Sequence, residues 1–123
     1  MTPELYALAA QIITLPGWEW RPGMRYLFAT GKLAGKGLHL QNPGCTGVSG
    51  APPDECVPDL DDDATAGAML GLLAPEIGVT VSQQAHGCSA ACPQPILRAM
   101  ITGRGATLGE AVARLVVARG GWR

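Results

Sequence analysis

The sequence predicts a small α+β fold in which about three helices pack on a small antiparallel sheet, in the order α-β-(β)-α-β-β-α. The chain has 123 residues, 47% of them hydrophobic, which suits a single domain over residues 1–123 and excludes an extended disordered chain. Its 17 glycines and 10 prolines indicate many turns between short elements. Helical and alternating hydrophobic patterns follow one another without an internal repeat, which favours helices laid on an antiparallel sheet.

The first and last helices have clear boundary signals. Thr2 is a capping residue and Pro3 suits the first helical position, and a Pro-Gly pair at residues 16–17 ends the element. The last helix starts with the capping box Thr107-x-x-Glu110 and ends at a Gly-Gly pair. Their predicted core faces, at helical spacing, are Leu5, Leu8, Ala9, Ile12 and Ile13 in the first helix, and Leu108, Val112, Leu115 and Val116 in the last.

A run of aspartates opens the middle helix. Asp59, Asp61, Asp62 and Asp63 provide a cap and negative charge at the positive end of the helix dipole. A calcium loop would need alternating oxygen ligands, a central glycine and a terminal glutamate, which do not follow here. Capping is therefore the favoured role. The helix covers residues 64–74 before Pro75, and its apolar face comprises Ala68, Met69, Leu72 and Leu73.

Alternating or β-favouring segments predict the strands. Residues 25–30 read RYLFAT, and residues 37–41 give a weaker second signal. Residues 77–83 alternate like a half-buried strand, with Ile77, Val79 and Val81 on one face. Residues 96–102 are the expected partner strand.

Three connections carry glycine, proline or cysteine. Residues 42–58 hold so many glycines, prolines and serines that they predict a long surface loop. Residues 85–94 are predicted to be a cysteine-bearing connection between two strands. Residues 31–37 distantly resemble a phosphate-binding loop, but the glycine spacing is one residue short and no Ser or Thr follows the lysine. A hairpin turn is the favoured interpretation.

The charge distribution limits the classes of partner. The net charge is −1, and residues 42–64 carry six acidic residues and no lysine or arginine. Duplex nucleic acid is therefore not an expected partner, since phosphate neutralisation requires a basic surface. A small anion needs only two or three arginines. Neither a signal peptide nor a membrane-length apolar segment is recognised, so a cytoplasmic location without membrane association is expected.

The cysteines leave three alternatives open. Cys45, Cys56, Cys88 and Cys92, with His86 nearby, could bind zinc, form disulfides or remain free thiols. The spacing of the cysteines is not that of a paired zinc knuckle. We therefore predict no metal site, no cofactor and no catalytic residues, because a G-x-S-x-G nucleophile elbow is also missing.

The segment after the first helix carries the candidate ligand-binding residues. Trp18, Trp20, Arg21 and Arg25 lie within eight residues. Indole rings stack on bases, and guanidinium groups bind phosphates through paired hydrogen bonds. The alternative is that one tryptophan fills the helix–sheet seam and the other shields a turn.

Three segments resemble parts of small uncharacterised phage and prophage accessory proteins with an α-β-α sandwich layout. They are MTPELYALAAQIITLPGWEWRPGM, VPDLDDDATAGAMLGLL and ATLGEAVARLVVA, which together cover about half the chain. In that family the middle motif reads PDLxDPAT, so Asp63 replaces the usual proline. The cysteine-bearing loops at residues 44–56 and 87–93 are particular to this chain.

The resemblance implies a non-enzymatic phage protein that acts in the host cytoplasm by binding. One hypothesis is a sponge that sequesters a nucleotide-derived immune signal at a homo-oligomer interface. The alternative is a protein-binding inhibitor of a host defence protein, such as a CRISPR complex, that uses the acidic residues 54–63 as its docking surface. A zinc-stabilised structural module is the third alternative.

Overall fold

A computed structural model describes residues 1–40, 55–73, 77–94 and 99–123. Within these ranges the α+β class is confirmed by three helices and six strands. The strands form two antiparallel three-stranded sheets, whereas the sequence analysis expected one. None of the helices in these ranges is long and apolar enough to cross a membrane.

The first helix, α1 (Pro3–Ile12), agrees with the sequence prediction. The Thr2 hydroxyl caps it by accepting a hydrogen bond from the Leu5 amide at 3.3 Å. Leu5, Leu8 and Ile12 are buried, as their spacing predicted, and Ile13 is half-buried. Burial of this apolar face, more than helix propensity, stabilises a helix of this length.

The first sheet consists of β1 (Arg25–Phe28), β2 (Gly37–His39) and β3 (Cys56–Pro58), with β1 in the centre. The first two strands fall within predicted strands. The third strand corrects the predicted loop at residues 42–58, because Cys56–Pro58 pairs with β1 and is fully buried. Pro58 is tolerated since β3 lies at the sheet edge, where a strand need not donate every hydrogen bond. The rest of that predicted loop, up to residue 54, lies outside the described residues.

The second helix, α2 (Asp63–Leu72), begins at the predicted aspartates. Asp62 is the cap, and its carboxylate accepts a hydrogen bond from the Thr65 amide at 2.9 Å. The Thr65 hydroxyl accepts one from the Arg25 amide at 2.7 Å and so joins α2 to β1. Met69 and Leu73 of the predicted apolar face are buried, while the predicted stop at Pro75 lies outside the described ranges.

The second sheet consists of β4 (Thr80–Gln84), β5 (Gly87–Pro93) and β6 (Met100–Gly105), with β5 in the centre. The prediction of a connection at residues 85–94 is therefore wrong. Small and polar residues gave this segment no strand signal, yet its alternate side chains, Cys88, Ala90 and Cys92, are buried. Within the described residues, the strand predicted at residues 96–102 is represented by β6 from Met100 onward, and its first part, up to residue 98, lies outside the described residues.

The strand β4 is more exposed than its alternating sequence predicted. All five of its residues are exposed, including Val81 at 45%, while Ile77 and Val79 before it are half-buried. The cause of this exposure is the tertiary packing. The last helix packs against β5 and β6, so β4 lies at the edge of the sheet that this helix does not cover.

The last helix, α3 (Leu108–Arg119), has the predicted cap at Thr107, while Glu110 bonds one residue before the amide that a capping box uses. The Thr107 hydroxyl accepts a hydrogen bond from the Glu110 amide at 3.3 Å, and Glu110 Oε2 accepts one from the Ala106 amide at 2.8 Å. Gly120 ends the helix in the left-handed conformation, with φ 85°.

Glycines allow α3 to lie directly on the second sheet. A Cβ atom at Gly103 would collide with the Ala111 carbonyl and the Leu115 amide of the helix backbone. One at Gly109 would collide with the Leu60 carbonyl. The missing side chain at Gly103 therefore allows the close approach of α3 to β6, and the one at Gly109 allows the close approach of α3 to the segment before α2.

Candidate ligand-binding site

The predicted tryptophans belong to a continuous series of aromatic rings. The ring centre of Trp18 lies 5.2 Å from that of Trp20 and also 5.2 Å from that of Trp122. From Trp20 the series continues to Tyr26 at 6.4 Å, and from Tyr26 to Phe28 at 6.0 Å. These distances are typical of favourable edge-to-face and tilted ring pairs.

The inner end of the series is structural. Trp122 is completely buried, and its Nε1 donates to the Ile12 carbonyl at 3.0 Å, so it joins the end of the chain to α1. The Nε1 atom of Trp18 is also buried and makes no hydrogen bond within the part of the chain that the structure describes. Trp122 is thus part of the core, and Trp18 packs against it.

The outer end of the series forms a surface that we call the aromatic face, defined by Trp20, Tyr26 and Phe28. All three side chains are half-buried. Tyr26 and Phe28 lie two positions apart on β1 and so share one side of the first sheet. The cross-strand neighbour of Tyr26 on β2 is Leu38, whose exposure of 59% shows that this side of the sheet is open there.

Two exposed cations are backbone neighbours of residues in the aromatic face. Lys36 lies opposite Phe28, since the Phe28 amide donates to the Lys36 carbonyl at 2.9 Å, and its side chain is exposed. Arg21 follows Trp20 directly, and its Nη2 atom lies 3.2 Å from Glu19 Oε2 in an ion pair exposed on both sides. Such an exposed pair contributes little to stability, so the guanidinium remains free to bind another anion.

Arg25 is not brought to the tryptophans. Alternation along β1 places its side chain on the side of the sheet opposite to Tyr26. There its Nε atom lies 3.5 Å from Asp59 Oδ2, within ion-pair range but without a hydrogen bond. Of the four predicted residues, the structure therefore pairs Trp18 with Trp20, leaves Arg21 exposed in an ion pair with Glu19, and engages Arg25 in a separate cluster.

In the separate cluster, the carboxylates of Asp59 and Asp62 contact groups of the protein itself. Asp62 accepts hydrogen bonds from the amide and the hydroxyl of Thr65, and its Oδ1 lies 3.7 Å from His39 Nε2. Burial alone would raise the pKa of Asp62, but the hydrogen bonds from Thr65 and the charge interaction with His39 outweigh it, so the pKa is lowered overall. Capping, as predicted, is the role of this carboxylate.

We expect Asp62→Asn to reduce the acid sensitivity of the protein. Because the folded-state pKa is lowered, the Asp62 carboxylate contributes stability above its unfolded pKa of about 3.9, and this contribution is lost as the pH falls through the folded value. Asparagine retains a capping oxygen but not the charge. Urea midpoints should show the wild type more stable at neutral pH, with the difference from Asp62→Asn shrinking below about pH 4.

Asp63→Asn is the control, because it removes a carboxylate at the same helix start without removing the contacts to Thr65 and His39. Parallel pH profiles for the wild type and both variants would contradict the assigned role of Asp62.

The cysteines do not form a common site in the described ranges. Cys88 and Cys92 are buried free thiols on the same strand, and four residues of extended chain separate them by about 13 Å. Cys56 is also free and lies in the other sheet, where burial and then the charge of Glu55 raise the pKa of its thiol. Among the described residues no group of three metal-ligating side chains comes together. Cys45 lies outside these ranges.

Tyr26 and Phe28 are the site residues that the sequence analysis missed. Their signal was present as two aromatic residues at alternate positions of a predicted strand, directly after the Trp-Glu-Trp segment. In comparisons with protein-family models, curated proteins and solved structures, nothing matches this chain. No relative therefore assigns a role to any residue of this site.

Proposed function

We propose that the protein is a non-enzymatic binding protein that holds a nucleotide-derived small molecule on its aromatic face. The resemblance to phage accessory proteins suggests the biological setting, in which a phage-encoded protein sequesters a nucleotide-derived immune signal in the host cytoplasm. The observation that carries the proposal is the half-buried ring series Trp20, Tyr26 and Phe28, with exposed Lys36 opposite Phe28 and exposed Arg21 next to Trp20 in the chain.

The chemistry of this face suits a nucleotide. A base stacks on aromatic side chains with about 1–3 kcal/mol per base, and Tyr26 and Phe28 provide adjacent rings on one strand. The phosphate groups would contact Arg21 and Lys36, which are both exposed at the border. Trp18 acts behind this surface, because its contact with Trp20 holds the outer ring against the buried Trp122.

Binding without turnover is part of the proposal. Cleavage of a nucleotide needs a positioned nucleophile or base, or a metal. The aromatic face and the cations near it supply rings and positive charge, and the proposal assigns none of them the role of nucleophile or base. These groups retain a ligand but provide no pathway for breaking its bonds.

The internal contacts of the acidic residues favour a small molecule over a protein partner. Asp59 faces Arg25 and accepts the Asp61 amide, while Asp62 caps α2. These carboxylates are thus engaged inside the molecule, which reduces the charge available for docking to a basic protein. Glu55 is exposed, and Asp54 lies outside the described residues.

The test is calorimetry of the purified protein against cyclic mononucleotides, cyclic dinucleotides and NAD-derived nucleotides. For the ligand that binds, we expect Tyr26→Leu and Phe28→Leu each to weaken the affinity by about tenfold, because leucine retains apolar volume but cannot stack on a base. Arg21→Gln should also weaken it while leaving the urea midpoint nearly unchanged, since its ion pair is exposed.

Tyr6→Leu is the matched control, because Tyr6 lies on α1 and takes part in none of these ring contacts. Equal affinities of all variants would show that the aromatic face is not the binding site. Mass spectrometry of the ligand released by denaturation should return it intact, and a converted product would rule out the non-enzymatic proposal.

A further inference from the structure

The outer edge of β4, in the second sheet, lacks the features that protect sheet edges from pairing with another chain. Within the described ranges four strands lie at sheet edges, namely β2, β3, β4 and β6. Proteins protect such edges with proline, with charged side chains or with bulges. Pro58 lies in β3, His39 in β2 and Arg104 in β6, whereas β4 reads TVSQQ and has neither proline nor an ionisable group. Its pairing with β5 is regular over five consecutive residue pairs, so it has no bulge.

One hydrogen bond shows which backbone groups of β4 point outwards. The Gln94 amide at the end of β5 donates to the Ala99 carbonyl just before β6 at 3.0 Å. Because hydrogen bonding alternates along an antiparallel strand, the even-numbered residues of β5 bond to β6 and the odd-numbered residues bond to β4. Thr80, Ser82 and Gln84 lie opposite odd-numbered residues of β5, so their backbone groups point inwards.

The N–H and C=O groups of Val81 and Gln83 consequently point away from the sheet. Within the part of the chain that the structure describes, none of these four groups makes a backbone hydrogen bond. The side chains of all five residues of β4 are exposed. Unpaired backbone groups on an exposed, regular strand are a template for one more strand.

We infer that β4 pairs with β4 of a second copy of the chain, antiparallel and about a two-fold axis at Ser82. In that register Val81 lies opposite Gln83 of the second copy, and these two residues exchange both of their hydrogen bonds. The two-fold axis repeats this pair, so all four outward groups of each copy are satisfied. Ser82 then faces Ser82, and Thr80 faces Gln84.

The side chains of β4 favour a second copy as the partner. A strand without charge offers no attraction to an oppositely charged partner, but it meets its own copy without repulsion. Small hydroxyl side chains that face each other across strands also stabilise the pairing. A two-fold dimer is the commonest closed assembly of identical chains. The inference is independent of the proposed function, because β4 contains no residue of the aromatic face.

The test is sedimentation velocity of the purified protein over a range of concentrations. The paired segment is short, so we expect a monomer–dimer equilibrium in which a species of twice the 12.7 kDa chain mass forms below about 1 mM. Ser82→Lys should weaken association by about tenfold or more, because two lysines would face each other at the axis. Thr102→Lys is the matched control and should dimerise like the wild type, since Thr102 is exposed on the same side of the sheet but on β6.

A charge-swap experiment tests the position of the axis. Ser82→Asp should be monomeric where the wild type is a dimer, for the same reason as Ser82→Lys. An equimolar mixture of the two variants should associate again, because each lysine then faces an aspartate across the axis. Far-UV circular dichroism should show the wild-type fold in both variants, since the Ser82 side chain is exposed.

Hydrogen exchange of the wild type gives a second measurement that needs no variant. The amides of Val81 and Gln83 should become protected as the concentration rises, whereas the Ser82 amide is bonded to β5 and should be protected throughout. The proposal is overturned by a wild type that stays monomeric, which would leave this edge to a strand of a different protein. It is equally overturned by an equal loss in Thr102→Lys, by a mixture that does not associate, or by protection at Val81 and Gln83 that does not depend on concentration.

Discussion

Replacing Gly103 with alanine is expected to destabilise the protein by about 3 kcal/mol or more, at or beyond the upper end of the usual cost of overpacking. Gly103 is buried on β6, and the added methyl group would meet the backbone of α3 at Ala111 and Leu115. Backbone atoms cannot rotate away as a side chain can, so the whole helix must move off the sheet. Urea unfolding followed by far-UV circular dichroism measures the loss.

Gly67→Ala and Gly71→Ala are the matched controls for that experiment. Both glycines are exposed on α2, and a Cβ atom at either position would have nothing within 4 Å. The same substitution should therefore stabilise the protein there, by up to about 1 kcal/mol, because alanine is the better helix former. A neutral result for Gly103→Ala would mean that α3 does not lie on the strand backbone as described.

Trp122→Ala should cost about 3–5 kcal/mol, the range for removing a large buried aromatic side chain. The ring is completely buried, packs 5.2 Å from Trp18, and bonds to the Ile12 carbonyl. The variant loses all three contributions and leaves a cavity between α1 and the end of the chain. Trp122→Phe retains an aromatic ring without the N–H group, so a smaller loss is expected from the same urea measurement. Equal losses in the two variants would show that ring packing contributes little.

The helices were predictable because their signals are local. Thr2, Asp62 and Thr107 each cap a helix within three residues of the group they bind, and such short-range chemistry can be recognised along the chain. The strands β3 and β5 could not be predicted in this way. Cys56–Pro58 and Gly87–Pro93 contain small residues and prolines that have little intrinsic strand preference. Pairing with β1 in one case, and with β4 and β6 in the other, makes them strands.

The candidate site was predictable only in part, for a related reason. The nearness of Trp18 and Trp20 follows from their sequence separation, but the assignment of Arg25 to the same site did not account for alternation along β1. That alternation turns Arg25 towards Asp59 and gives the aromatic surface to Tyr26 and Phe28.

The distribution of aromatic residues also determines which part of this protein intrinsic fluorescence can monitor. All three tryptophans lie in one cluster around Trp18, and from residue 29 to residue 121 the chain contains no aromatic residue of the Phe, Trp or Tyr type. Intrinsic fluorescence therefore follows the surroundings of α1, the first sheet and the end of α3, while the strands of the second sheet contribute no emission of their own. Coincident unfolding curves from fluorescence and far-UV circular dichroism would show that both sheets unfold in one cooperative step. Separated curves would show that the second sheet unfolds in a step of its own.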